Sequence, residues 1–139
     1  MYKNIVVAID GSEHSHRALE HAKTLVDRFG STLWLVHIFP HTSDLLGYED
    51  FEKLFSKRKS AGQVVIDEAR KRLGDITFSV REELQEGPEA ESIVTIAEKC
   101  QAELIVIGTR GFGAIKGLVL GSVSLKVIHH ASCAVMLVH

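Results

Sequence analysis

Residues 103–124 read ELIVIGTRGFGAIKGLVLGSVS. Glu103 to Ile107 is a short apolar run, as strands covered by helices on both faces usually are. It passes directly into a loop with five glycines in the fourteen residues from Gly108 to Gly121. Glycine tolerates positive φ and removes the Cβ that would hold an anion away from backbone N–H groups. Gly121 then leads into Ser122-Val123-Ser124, the start of a predicted helix over Ser122 to His130, whose unpaired N–H groups and dipole favour phosphate. The hydroxyls of Ser122 and Ser124 add possible donors, and Arg110 and Lys116 add positive charge. A plain connector ending in a serine cap would use the same residue types. Length weighs against it: more than ten residues between strand and helix exceeds the usual βα loop, and loops that long are usually functional or disordered.

The remaining segments repeat the strand-then-helix order. Tyr2 to Ile9 is a strand stopped by the turn cluster Asp10-Gly11-Ser12. Ala18, Ala22, Leu25, Val26 and Phe29 then recur at helical spacing before Gly30, a C-terminal stop. Thr32 to Phe39 is a nearly continuous apolar strand ended by Pro40. A long amphipathic helix follows, closed by Gly74. Ile76 to Leu84 alternates apolar and polar residues and suits a sheet edge. Pro88 fits the first position of a third helix whose buried face is Ala90, Ile93, Val94, Ala97 and Cys100. Ala134 to Val138 is the last strand. Such alternation requires right-handed crossovers and mainly parallel pairing. The expected fold is therefore an α/β, Rossmann-like open sheet of five mainly parallel strands in the order 3-2-1-4-5, with four helices on both faces, in one domain over residues 1–139. Ligands on such sheets bind at the carboxyl ends of the strands. There the Asp10-Gly11-Ser12 turn meets the glycine loop. Asp-Gly-Ser is equally a common turn and capping arrangement.

Composition narrows the function. Hydrophobic residues make up 45% and charged residues 24%, which fits a folded globular domain rather than a disordered chain. A formal charge of −2 leaves no electrostatic footprint for nucleic acid. The apolar stretches fall far short of the ~20 residues that span a bilayer, so no membrane segment is expected. Two cysteines, Cys100 and Cys133, lie in apolar periodic segments and read as reduced, buried thiols. These features together point to the cytoplasm. No dedicated metal site is expected: His14 and His16 diverge on a helix, His129 and His130 are adjacent, and neither pair makes a chelate alone. The last two complement the negative end of the final helix.

The spacing Gly108-x2-Gly111-x9-Gly121-Ser122 resembles that of the ATP-binding branch of the universal stress proteins. The resemblance extends along the chain, through Val7-Ala8-Ile9-Asp10-Gly11-Ser12, Val36-His37-Ile38, Glu86-Gly87-Pro88 and the terminal Cys133 to Val138 stretch. It implies an adenine nucleotide, ATP or else ADP or AMP with Mg²⁺, lying across the strand ends. Asp10 is then expected near the ribose or adenine, with backbone atoms of Ala8 and Ile38 at the adenine edge and Ile107 near the sugar. Gly108, Arg110, Gly111 and Gly121 would line the phosphates. Ser122, Val123 and Ser124 would donate backbone or hydroxyl groups. The resemblance also implies a homodimer through the C-terminal strand and a stress or signalling role read by a protein partner.

Several alternatives lack their residues. No G-x-x-x-x-G-K-[ST] sequence is present, G-x-G-x-x-G fails where Lys116 stands in the third glycine position, and no G-x-S-x-G elbow exists. Rapid phosphoryl transfer needs a positioned base and strong charge stabilisation, for which Asp10, Arg110 and Lys116 are the obvious candidates. A slow Mg²⁺-dependent ATPase or phosphotransferase is thus the rival reading. A flavin electron carrier is a weaker one, since the single Trp34 and two tyrosines offer little surface for stacking an isoalloxazine.

Overall fold

The computed structural model describes residues 1–42, 47–110 and 120–139. Among these, five strands alternate with four helices: β1 Asn4–Ala8, α1 Glu13–Phe29, β2 Thr32–Phe39, α2 Tyr48–Leu73, β3 Val80–Glu86, α3 Glu89–Lys99, β4 Leu104–Gly108, α4 Ser122–His130 and β5 Ala134–Val138. All the strands pair in parallel, in the order β3-β2-β1-β4-β5. Both β1 neighbours are therefore crossovers away in sequence, and the strand order reverses between β1 and β4. Val7 lies opposite Leu35 on one side and Val106 on the other, which brings the carboxyl ends of three strands to one edge.

Side-chain alternation divides the core. Ile5, Val7, Leu33, Leu35, Leu104 and Val106 face α1 and α2, together with Ala18, Ala22, Val26, Ile66 and Leu73. Val6, Ala8, Val36, Ile38, Ile105 and Ile107 face α3 and α4, with Ile93, Ala97 and Val127. Each fully buried aliphatic side chain contributes about 1.5–3 kcal/mol, so the central strands supply most of the stabilisation. The only tryptophan, Trp34, lies on the α3/α4 side of β2 and donates its Nε1–H to Asn4 Oδ1 at 3.0 Å, near the amino ends of the strands.

Helix boundaries follow local chemistry. Ser12 caps α1, its Oγ accepting from Ser15 N at 3.3 Å. Gly30 ends that helix at φ 67°, where its N–H reaches Val26 O. Pro88 stands outside α3 as its extended cap residue, at φ −72° and ψ 142°, rather than in the first helical position. Its carbonyl accepts from Ser92 N, which begins the helical bonding.

The third strand also departs from expectation. It begins at Val80 and not at Ile76, although Leu33 N already takes Ser79 O. Ile76 and Phe78 pack half-buried against the α1/α2 core before pairing starts. Apolar alternation reports burial, and here burial precedes the ladder. Cys100 and Cys133 are free and half-buried rather than fully buried. Desolvation still raises both thiols above their ordinary value.

The backbone of α1 leaves no room for a side chain at the end of β4. A Cβ on Gly108 would lie 2.8 Å from His14 Cβ and 2.9 Å from the His14 carbonyl carbon. Gly108→Ala must push the first turn of α1 off the sheet and is expected to cost about 1–3 kcal/mol, as overpacked cores do. A urea unfolding midpoint unchanged by the substitution would contradict this seating.

Candidate functional site

The turn after β1 is organised by its own side chains. Asp10 Oδ1 accepts from Ser12 N at 2.8 Å, an Asx-type turn. Asp10 N donates to Ser15 Oγ at 3.0 Å, and Gly11 supplies the positive φ, 84°, that the reversal requires. Asp10 thus shapes the turn while Ser12 caps the helix, and its carboxylate stays half-exposed at the strand ends.

Across the switch point, Thr109 closes the other side. Its N–H donates to Val138 O at 2.8 Å. Its carbonyl accepts twice, from Gly121 N at 2.6 Å and from Ser124 Oγ at 2.9 Å. These two bonds hold the beginning of α4 against the end of β4, although twelve residues separate Thr109 from Gly121. Gly121 is the α4 cap residue, extended at φ −75° and ψ 165°, with no side-chain cap bond. The first helical bond is Leu125 N to Gly121 O, so the N–H groups of Ser122, Val123 and Ser124 precede it and have no partner within the helix. Ser122 is exposed. The Ser124 hydroxyl is buried and engaged with Thr109 O and Gly121 O, so its hydrogen serves the fold. Thr109 is 1% exposed, and its Oγ1 has no hydrogen-bond partner among the described residues.

The expected contact residues fall into groups. Ala8, Ile38 and Ile107 are buried at the ends of β1, β2 and β4, and they share the α3/α4 face with half-buried Val123. Gly108 presents its missing side chain to α1. Arg110 is half-exposed just past β4. Gly111, like Gly113, Lys116 and Gly117, lies outside the described residues.

Charge is distributed unevenly along this edge. Desolvation, then the positive charges of Arg17 and Arg110, hold the His14 imidazole below its ordinary value, against the opposing pull of Asp10. On the far side of Asp10, desolvation raises the Glu89 carboxyl, and the like charge of Asp10 raises it further. The Asp10 and Glu89 carboxylates and the Arg110 guanidinium thus all belong to this edge. In the sequence His14 stands only beside His16, with which it makes no chelate, and Glu89 is only an acid in the first turn of α3. It gives no signal that the crossover into α3 brings Glu89 within reach of the Asp10 charge. Glu86 Oε2 accepts from Thr42 N at 3.1 Å and ties the segment after β2 to the end of β3. Among the described residues no group of three or more His, Cys, Asp and Glu side chains is arranged to hold a metal ion, and no helix is long and apolar enough to cross a membrane.

The raised Glu89 carboxyl binds its proton more tightly in the folded protein than in the unfolded chain. It is neutral in sign below the unfolded midpoint and costs stability as pH rises through the folded one. Asp10→Asn removes the like charge, so the Glu89 midpoint is expected to fall partway toward its ordinary range, the rest of the shift being desolvation. Carboxyl-carbon NMR titration checks this. A midpoint that stays put would mean the two carboxylates do not sense one another.

Comparison with known proteins gives this geometry its context. The model of the universal stress protein family matches residues 1–139. A universal stress protein of Thermus aquaticus, encoded in the QAH/OAS sulfhydrylase 3′ region, is 40% identical over 140 residues, covering 99% of each chain. Among solved structures, a universal stress protein in complex with cAMP superposes with a TM-score of 0.75 at 26% identity, covering 99% of this chain and 97% of that one. The universal stress protein from Archaeoglobus fulgidus in complex with dAMP gives 0.65 at 27% identity, covering 99% and 98%. With the parallel five-stranded order and the clamped strand-to-helix loop, these matches establish that the chain belongs to the universal stress protein family.

Proposed function

We propose that this protein binds an adenine nucleotide, ATP or its ADP or AMP forms accompanied by Mg²⁺, and acts as a nucleotide-dependent switch in stress response or signalling that a protein partner reads. One observation carries the reading. The N–H groups of Ser122 to Ser124, which have no partner within α4, begin at the same sheet edge at which Ala8, Ile38 and Ile107 form an apolar shelf, in a family with members solved around cAMP and dAMP. The shelf suits a purine face, and the helix N-terminus suits phosphate. The uneven charge supports one orientation. Arg110, just past β4, would draw the phosphates, and the half-exposed Asp10 carboxylate would serve a ribose hydroxyl.

Denaturing fresh protein and separating any released nucleotide by chromatography is the direct test, followed by melting of the emptied protein with ATP and Mg²⁺. Ligand at a hundredfold over Kd adds about 2.7 kcal/mol, enough to move the midpoint several degrees. Gly121→Ala separates binding from folding. A Cβ there would lie 3.4 Å from Thr109 O and 3.6 Å from Arg110 Cα, ordinary contacts, and the φ suits any residue. The variant is expected to melt like the parent without ligand and to lose most of the ATP shift. No released nucleotide and no shift in the parent would overturn the reading.

The same reading includes a homodimer joined antiparallel across Ala134 to Val138. Edge strands tend to pair, β5 ends the sheet, and α4, which leads into it, exposes Leu125 at 57% and Ile128 at 40%. Light scattering at micromolar concentration is expected to give twice the chain mass, and Met136→Pro to give a single chain. A monomeric parent would contradict the dimer.

A further inference from the structure

Three segments of the chain meet past the end of β4. At Gly108 the Cβ, carbonyl carbon and carbonyl oxygen of His14 lie 2.8, 2.9 and 3.1 Å from where a Cβ would stand, so the first turn of α1 rests on the strand end. Thr109 N donates to Val138 O at 2.8 Å, which carries the pairing of β4 and β5 beyond Gly108 toward Arg110 and His139. Arg17, one turn along α1 from His14, donates its Nε–H to His139 O and closes the corner. His14, Arg17, Arg110 and His139 thus come together from α1 and from the ends of two strands. His14 stays half-exposed there.

The charges that His14 senses are mostly of one sign. Burial first, and then Arg17, Arg110 and His139, disfavour its imidazolium, while Asp10 favours it. Glu13, exposed and 3.8 Å from Arg17, offsets part of that guanidinium. In the nucleotide reading the phosphates lie at Arg110, within this corner. Their negative charge would counter the positive charge that keeps the proton off His14. Linkage makes the effect mutual: what a bound phosphate adds to the proton affinity of His14, the proton adds to the affinity for phosphate. Adenine and ribose carry no such charge and give no such coupling.

We propose that His14 is a further determinant of phosphate binding at this site, and that nucleotide affinity rises when its imidazole takes up a proton. This rests on the nucleotide reading and adds a regulation to it: affinity is gained as pH falls through the His14 midpoint and lost as pH rises through it. The test is calorimetric titration of the full chain and of His14→Gln with ATP plus excess Mg²⁺, and with adenosine, between about pH 5 and 8. Glutamine keeps the Cβ and backbone that pack on Gly108, and the ratio of variant to parent Kd cancels the titration of ATP itself. For ATP that ratio is expected to grow up to about fivefold toward acid, the scale of a partly exposed charge pair. For adenosine it should be flat. His14→Arg, whose charge is fixed, should bind ATP tightly at both ends of the range. Proton NMR of the parent should show the His14 midpoint rising on saturation with ATP. The proposal is overturned if the ATP ratio is flat, if adenosine shows the same dependence, or if the His14 midpoint stays put or falls. ATP binding with a flat ratio would reject this coupling alone, whereas no ATP binding by the parent at any pH would reject the nucleotide reading with it.

Discussion

A single absent side chain fixes the geometry of the ligand edge. Because Gly108 carries no Cβ, the first turn of α1 lies directly on the end of β4, with His14 in contact. That seating brings the start of α1, the Asp10 turn and Arg110 together although a hundred residues separate the turn from the arginine. Two elements meet there only because a parallel sheet returns every strand in the same direction.

The second constraint is the carbonyl of Thr109. It holds Gly121 and Ser124 at once, so α4 starts at a fixed place whatever path the intervening chain takes. This matters because α4 is weakly anchored. Only Ser124 and Val127 of its nine residues are buried, and a helix that short does not persist alone. Its hydrogen-bonded start and one buried valine hold it, while its first N–H groups precede the helical bonding. Within that one turn the Ser124 hydroxyl serves the fold, bonding both Thr109 O and Gly121 O.

Much of this was legible in the residues. Thr32–Phe39, Ser122–His130 and Ala134–Val138 carry boundaries that local chemistry dictates, through Pro40, Gly121 and the apolar run at the end. The third strand was displaced because Ile76 and Phe78 look like strand residues and serve as packing, whereas the strand itself, VREELQE, is polar at an edge. Pro88 fits either side of a helix start, and only the backbone angles distinguish them. The glycine spacing singled out the passage from β4 to α4 whose two ends the Thr109 carbonyl joins. The partnerships of Glu89 with Asp10 and of His14 with Gly108 were invisible because each joins elements from different crossovers, and that of Thr109 with Ser124 because a long connection separates the two residues.

The placement of Trp34 has a practical corollary. Its indole is pinned to Asn4 near the amino ends of the strands, four residues and about 13 Å of strand before Ile38. Intrinsic fluorescence therefore reports the integrity of the sheet and is nearly blind to what occupies the opposite edge. A change in emission on adding a ligand would be evidence that the sheet itself has been reshaped, a signal that a chromophore in the cleft would have masked.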